Sequence, residues 1–226
     1  MLKYGMNLGI LRIIGIILFA YLTWRNLRDS YEESKIVTYS WVALLGFFIG
    51  GRITYGLVNF GVWNDSWLSW FSVWTKPGMD YVGGFLSLML INFVFSKINN
   101  WKIIPFNEDI LPNSLLFLFF LMFDEFLRSR FDIMVGVYSL FLLLMIFVFN
   151  LVKKKYRSLV WYRSGKKGFA FLSTVFLAFL VLGFLKIFFK VNVAYSILYW
   201  VISLISLSGL CILGEVFNFL MVNKRK

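Results

Sequence analysis

Long apolar stretches recur along almost the whole chain, and this recurrence limits its possible folds more than any other feature. A helix that crosses a membrane needs about 20 mostly apolar residues. Seven segments meet or nearly meet that length, at about 5–24, 38–60, 80–97, 110–127, 132–152, 168–189 and 193–222. The pattern predicts an all-α, polytopic membrane helix bundle with about seven transmembrane helices.

The composition supports a membrane protein and argues against several other classes. Of the 226 residues, 60% are hydrophobic and 15% are charged, whereas an average soluble domain has about 25% charged residues. The chain has no histidine and one cysteine, Cys211, so neither a disulfide framework nor a Cys/His metal site is expected. We therefore expect one integral membrane domain over residues 1–226, with no metal and no cofactor.

Basic residues divide unevenly between the predicted connections. Fifteen of the 23 Lys and Arg residues fall in 25–37, 97–109, 153–167 and the C-terminus, whereas six fall on the other side. Cytoplasmic loops of membrane proteins are enriched in Lys and Arg, so this division predicts an outer N-terminus and a cytoplasmic C-terminus. The net charge of +12 is then explained by basic residues at the membrane surface, and we expect no nucleic acid as a partner.

The connection 61–79 on the outer side is rich in tryptophan. Trp63, Trp67, Trp70 and Trp74 are spaced four, three and four residues apart, so they share one face of a helix. Because tryptophan favours the headgroup region of a bilayer, the spacing predicts an interfacial amphipathic helix in 61–79. The alternative is that these side chains pack against the bundle as ordinary core.

One arginine lies inside the second apolar segment, in the stretch "GFFIGGRITYGL". A charge within a span is costly and usually faces a cavity or a partner. Tyr55 follows Arg52 by three residues and shares its helix face, and a guanidinium group can bind a phosphate in a bidentate manner. Gly46, Gly50 and Gly51 form a small-xxx-small pattern that lets another helix or a ligand approach closely.

Two adjacent carboxylates, Asp124 and Glu125, lie in the stretch "FLMFDEFLRSRF". Neighbours on a helix point about 100° apart, so only one of them can face Arg52, and the other can lie near Arg128. Three interpretations stay open. A carboxylate pairs with Arg52 and locks the bundle, Arg52 binds an anionic ligand, or the two acids end the span at the membrane surface.

Several of these motifs together resemble the prolipoprotein diacylglyceryl transferase family. The segment "LLGFFIGGRITYGLVNF", the Trp-rich connection and "GMDYVGG" are similar to the family's Gly-Gly-Arg-x-Gly-Tyr and Gly-Met-Ser-Phe-His-Gly-Gly segments. Further on, "GVYSLFLLLMIFVFNLVKKKYR" resembles the helix with its Ser-Gln-Leu-Tyr-Glu motif. The resemblance covers residues 8–190 in order and is specific around 46–84. It also implies seven spans with an outer N-terminus and a cytoplasmic C-terminus.

The resemblance implies an activity, partners and a site. The family transfers a diacylglyceryl group from phosphatidylglycerol to the lipobox cysteine of a secreted prolipoprotein, so it implies a phosphatidylglycerol-like phospholipid and a prolipoprotein signal peptide as partners. It implies a multi-pass protein of a bacterial-type plasma membrane. The residues that it nominates for substrate binding are Arg52, Tyr55, Gly83, Gly84 and Tyr138. The base is expected from the residues themselves to be Glu125 or Asp124, because a buried carboxylate can take up a proton near neutral pH.

The chain departs from the family pattern at several positions. Val82 stands where the family has the histidine of His-Gly-Gly, Met122 where it has an arginine, and Glu125 where it has an asparagine. The arginine of the sixth helix falls near Gly183, with Lys186 about one turn later. These departures leave two further interpretations beside the transferase. One is a non-catalytic, lipid- or partner-binding relative that keeps the scaffold, and the other is a small transporter.

Overall fold

The computed structural model describes residues 9–58, 78–129, 131–156, 167–189 and 193–214, with the backbone alone for 193–195. Within these ranges the regular secondary structure consists of α-helices, and no strand occurs. The helices are α1 (Ile10–Leu27), α2 (Glu33–Val58), α3 (Tyr81–Ile98), α4 (Ile103–Arg128), α5 (Ile133–Lys155), α6 (Phe169–Phe188) and α7 (Val193–Leu213).

All seven helices are long and apolar enough to cross a membrane, which confirms the all-α polytopic prediction. Their surfaces fit that environment, since large apolar side chains such as Leu140 and Phe147 are 68% and 60% exposed. The chain is therefore a multi-pass membrane protein. The sidedness stays a prediction, and the amphipathic helix predicted for 61–79 lies almost wholly outside the described residues.

The fourth helix differs from the sequence-based expectation. It begins at Ile103, about seven residues before the predicted start at 110, and so takes in the polar residues Asn107, Glu108 and Asp109. Their polarity had favoured a loop, but Asn107 and Glu108 are buried at 5% and 2% exposure. A helix can carry such groups when hydrogen bonds inside the protein satisfy them. Pro105 lies in the first turn, where its missing N–H costs no intrahelical hydrogen bond.

The chain forms two compact units, Met1–Asp109 (unit 1) and Ile110–Lys226 (unit 2), and the boundary falls within α4. The expectation of a single domain stays a prediction.

Unit 1 is held together by a chain of buried hydrogen bonds. The Tyr39 hydroxyl donates to Asn92 Oδ1 at 2.6 Å, Asn92 Nδ2 donates to Asn107 Oδ1 at 2.7 Å, and Asn107 Nδ2 donates to the Ile103 carbonyl at 2.9 Å. These bonds join α2, α3 and the first turns of α4.

Unit 2 is held largely by ring and aliphatic contacts. Tyr156, Phe169 and Leu210 form a buried cluster that joins the end of α5 to α6 and α7. The rings of Tyr156 and Phe169 are stacked, with centroids 5.7 Å apart. One polar contact also links α7 to α6, because the Ser203 hydroxyl donates to the Phe176 carbonyl at 3.1 Å.

Candidate functional site

Arg52 is buried in α2, with 5% of its surface exposed. Its Nη1 donates a hydrogen bond of 2.6 Å to the carbonyl oxygen of Gly78, just before α3. A guanidinium group has five N–H donors in a planar fork, and a backbone carbonyl is a neutral acceptor. This contact therefore fixes the Arg52 side chain against the backbone of Gly78. Because the carbonyl is neutral, the guanidinium group keeps its positive charge.

Asp80 joins the same stretch of backbone to α2 and starts α3. Its N–H donates to the Gly51 carbonyl at 3.0 Å, and its carboxylate accepts from the N–H groups of Val82 and Gly83 at 2.8 and 3.1 Å. An aspartate in this position is an effective N-cap, because it satisfies donors that the first turn of a helix leaves open. Val82, which the resemblance places at the position of a histidine, thus contributes its backbone N–H to this cap.

The glycines of this region let α2 and α3 approach closely. A Cβ at Gly83 would collide with the Thr54 side chain, and one at Gly84 would lie 2.8 Å from the Phe47 ring. On the other helix, a Cβ at Gly51 would lie 2.8 Å from the Asp80 carbonyl. Such approach is what the small-xxx-small pattern predicts. The described contacts give Gly83 and Gly84 a packing role, and their part in substrate binding stays a prediction.

Tyr55 completes what we call the Arg52 corner, formed by residues 50–55 and 78–84. The tyrosine is half-buried, and its phenol ring fills the space beside Gly78, where an added Cβ would collide with it. Gly78 has a φ of +148°, a conformation that favours glycine. The sequence prediction that Arg52 and Tyr55 share a face is thus realised as two contacts with one residue, Gly78.

The two candidate bases differ in their surroundings. Asp124 is buried and forms an ion pair with Arg128, with 2.8 Å between Oδ2 and Nε. This is the i,i+4 pair that the spacing allows, and it lies in the last turns of α4. Glu125 is half-buried. The role of either acid as the base stays a prediction.

Tyr138 lies near the start of α5, beneath a lysine. Lys186 Nζ is 5.4 Å from the centroid of the Tyr138 ring, which is a cation–π distance. The tyrosine is 6% exposed, and its hydroxyl has no hydrogen-bond partner among the described residues. A buried polar group of this kind calls for an explanation, such as a water molecule, an ion or a ligand.

Gly183, near which the resemblance predicts an arginine, is covered by the indole of Trp200 from α7. A Cβ there would collide with Trp200 Nε1, and this nitrogen is itself buried without a partner among the described residues. An arginine would need Trp200 to move. We call the set Asp124, Arg128, Tyr138, Lys186 and Trp200 the polar end of unit 2, since these residues lie in the last turns of α4 and α6 and in the first half of α5 and α7.

Sequence reasoning missed Asp80 and Trp200. Asp80 had a usable signal, since an aspartate just before a helix is a common N-cap. Trp200 had none, because its role depends on the way α7 packs on α6. As for metals, no three His, Cys, Asp or Glu side chains within the described part of the chain come together as a binding group.

The sequence that forms this site is similar to those of known proteins. The family profile for prolipoprotein diacylglyceryl transferases matches residues 5–120, just over half of the chain and the whole Arg52 corner. Phosphatidylglycerol–prolipoprotein diacylglyceryl transferases of Salmonella paratyphi B, Salmonella newport and Salmonella heidelberg are each 28% identical over 93 residues. The match covers 39% of this chain and 32% of each relative, so it spans about a third of their length. The chain belongs to the prolipoprotein diacylglyceryl transferase family.

Proposed function

We propose that this protein transfers a diacylglyceryl group from a phosphatidylglycerol-like phospholipid to the lipobox cysteine of a secreted prolipoprotein, in a bacterial-type plasma membrane. The observation that carries the proposal is the buried Arg52, fixed by its bond to Gly78, within the region that matches the family. A fixed arginine with a retained charge suits a phosphate group, which accepts hydrogen bonds and is anionic.

The depth of Arg52 in its helix supports a headgroup ligand. Arg52 lies 19 residues after Glu33, the first residue of α2, which corresponds to about 29 Å along the helix axis, close to the thickness of a bilayer's hydrocarbon core. The phosphates of a bilayer lie near the ends of spanning helices, whereas only acyl chains reach their middle. A phospholipid phosphate is therefore a better candidate for this arginine than a ligand at the bilayer centre.

In the proposed reaction the cysteine sulfur attacks the glycerol carbon that bears the phosphate. A carbon–sulfur bond forms, the carbon–oxygen bond to the phosphate breaks, and glycerol phosphate leaves with the electron pair. Arg52 stabilises the negative charge on the phosphate. The thiol proton passes to a carboxylate base, for which the sequence offers Glu125 or Asp124. Tyr55 orients the headgroup beside Gly78. Gly83, Gly84 and Tyr138 complete the set of residues proposed to bind substrate.

A second candidate is a non-catalytic relative that binds phospholipid or a partner and keeps the scaffold. Two observations favour it. Arg52 already bonds the backbone at Gly78, and Asp124 is already paired with Arg128, so both groups have a structural use. The resemblance also predicts that Val82, Met122 and Gly183 stand in place of the family's histidine and two arginines.

One experiment separates the candidates. The purified full chain is incubated in phosphatidylglycerol vesicles with a model prolipoprotein, and its Cys→Ser form serves as the substrate control. Product that carries a thioether-linked diacylglyceryl group, lost in Arg52→Ala, supports the transferase. Absence of product, together with phosphatidylglycerol binding that Arg52→Ala weakens, favours the non-catalytic relative. Absence of both would refute a lipid-phosphate role for Arg52.

A further inference from the structure

A groove runs between α1 and α2 in unit 1, and we call it the α1–α2 groove. Its volume is about 270 Å³. Ile17 and Trp41 at its rim are 61% and 63% exposed, so the groove opens away from unit 1. Four residues of each helix line it, at spacings of three and four that belong to one helix face: Ile16, Ile17, Ala20, Trp24, Val37, Ser40, Trp41 and Leu44.

The hollow follows from the sizes of the side chains that line it. Ala20 and Ser40 are short, whereas the indoles of Trp24 and Trp41 beside them are large. Ser40 is 5% exposed, and its hydroxyl donates to the Ile36 carbonyl at 2.9 Å, so this polar group is satisfied within α2. The other seven lining residues are hydrophobic. The groove is therefore shaped for an apolar ligand.

The dimensions of the groove fit a hydrocarbon chain. Both helices are long and apolar enough to cross a membrane, so the groove faces lipid, and leaving it empty would forfeit dispersion contacts along its walls. From Ile16 to Trp24 the helix rises by about 12 Å, close to the hydrocarbon thickness of one leaflet, about 15 Å. A second helix, about 10 Å across, is too wide to enter 270 Å³ over this length, whereas an extended acyl chain is narrow enough.

One end of the groove carries a cation. Arg28 follows Trp24 by four residues and keeps a helical backbone, with φ −56° and ψ −31°, so it continues the α1 side of the groove. Its guanidinium carbon lies 5.1 Å from the centroid of the Trp24 ring, which is a cation–π distance. Trp24 lies in the last turn of α1, and tryptophan favours the headgroup region of a bilayer. A phosphate at this level would thus meet a guanidinium group that the groove itself positions.

The connection around Arg28 is electrically balanced. Between residues 25 and 35 three basic residues are matched by three acids. Lys35 Nζ lies 2.8 Å from Glu32, and Arg28 Nε lies 3.6 Å from Asp29. The Arg28–Asp29 pair is exposed, with side-chain exposures of 47% and 87%, so it contributes little and can yield to another anion. The balance gives a headgroup with net negative charge no advantage over one that also carries an ammonium group.

We propose that the α1–α2 groove binds one acyl chain of a membrane phospholipid, with the lipid phosphate beside Arg28. The apolar lining holds the chain, and Arg28 holds the phosphate. Phosphatidylethanolamine and phosphatidylglycerol are accepted alike, because the charges around Arg28 are balanced. This lipid is distinct from the proposed transfer substrate, since Arg52 lies eight residues beyond Leu44, about 12 Å further along α2. The proposal is independent of the transferase activity.

The test uses the purified full chain in phosphatidylcholine nanodiscs with lipids that carry a photoactivatable diazirine midway along one acyl chain. The three probes are phosphatidylethanolamine, phosphatidylglycerol and diacylglycerol, and mass spectrometry of peptides locates the labelled residues. We expect both phospholipids to label 16–24 and 37–44 more than Leu140 and Phe147, which are exposed on α5 and report ordinary contact with the bilayer. Diacylglycerol should label the groove less, because it has no phosphate for Arg28.

Two matched pairs of variants locate the effect. Ala20→Phe fills the groove and should lower its labelling to that of α5, whereas Leu90→Phe, at a 63% exposed position of α3, should leave it unchanged. Arg28→Gln should lower labelling by the phospholipids by about two- to fivefold, as expected for an exposed charge contact. Arg25→Gln removes the same charge from the last turn of α1 and should keep the labelling. Arg52→Ala should keep it as well.

Thermal unfolding shows which variants are folded. If Ala20→Phe does not fold, Trp41→Ala removes one exposed wall in its place and should lower the labelling likewise. The proposal is overturned if the groove is labelled no more than α5, if a folded Ala20→Phe or Trp41→Ala is labelled like the wild type, or if Arg25→Gln loses as much as Arg28→Gln. It is also overturned if only phosphatidylglycerol labels the groove, or if Arg52→Ala abolishes the labelling. A dimer that Ala20→Phe dissociates, without lipid adducts in the groove, would assign the groove to a second copy of the chain and overturn the proposal.

Discussion

The Arg52 corner of unit 1 and the polar end of unit 2 hold their charged groups in different ways. In the corner, Arg52 and Asp80 bond to backbone atoms of Gly78 and Gly51, and the glycines of α2 and α3 have no room for a side chain. At the polar end, charges meet side chains, as Arg128 meets Asp124 and Lys186 meets Tyr138.

This difference bears on what a divergent relative can change. A contact to a backbone atom persists only while the helices keep their spacing. A pair of side chains, in contrast, can be exchanged for another pair by substitutions at two positions. The family match covers residues 5–120 and so includes the corner and stops before the polar end. Of the four departures that the resemblance predicts, Met122, Glu125 and Gly183 fall outside the matched region. The family match thus supports the scaffold of the Arg52 corner and does not extend to the polar end.

The largest loss of stability is expected when one methyl group is added at Gly78 in the Arg52 corner. Gly78→Ala places an L side chain at a φ of +148° and against the Tyr55 ring. We expect a loss of about 2–4 kcal/mol in the free energy of unfolding, measured by denaturant titration in detergent. Gly209→Ala is the matched control, because its Cβ would lie 3.4 Å from Leu172 in ordinary contact. Equal losses in both variants would contradict the special packing of the corner.

Arg52→Gln should have the next largest effect. It removes the charged hydrogen bond to Gly78, and such bonds contribute about 1.5–3 kcal/mol. We expect a lower unfolding midpoint together with loss of phosphatidylglycerol binding, whereas Arg52→Lys should recover part of the stability and less of the binding, since lysine lacks the planar fork. If Arg52→Gln lowers stability and leaves lipid binding intact, the arginine serves the scaffold alone.

Removal of Arg128 should cost less than removal of Arg52. The Arg128 side chain is 39% exposed, so water and salt screen its pair with Asp124, and we expect Arg128→Gln to lower the free energy of unfolding by about 1 kcal/mol. Asp124→Asn in the same chain should restore much of the loss, because the two changes then remove one interaction. Strict additivity of the two single variants in a thermal unfolding series would argue against the pair.

The sequence predicted much of the fold because long apolar segments have few alternatives in a membrane. The seven helices, the close glycine contacts and the i,i+4 spacing of Asp124 and Arg128 all follow from local pattern. The start of α4 does not follow from local pattern. A polar residue such as Asn107 favours a loop, and the partner that satisfies it, Asn92, lies 15 positions away. The roles of Gly78 and Trp200 depend on tertiary packing, which no local pattern encodes.

The smallest effect on stability is expected for Tyr138→Phe, with Tyr39→Phe as its matched control. Tyr39→Phe removes a buried hydroxyl that donates to Asn92 at 2.6 Å, and the orphaned acceptor should cost about 1–3 kcal/mol. Tyr138→Phe removes a hydroxyl with no partner among the described residues, so its unfolding midpoint should stay constant or rise slightly. A role in substrate binding would then appear as lower lipid binding or transfer without any change in stability. A fall in the Tyr138→Phe midpoint comparable to that of Tyr39→Phe would mean that the hydroxyl is used within the fold, and the case for Tyr138 as a ligand-binding residue would lose its structural support.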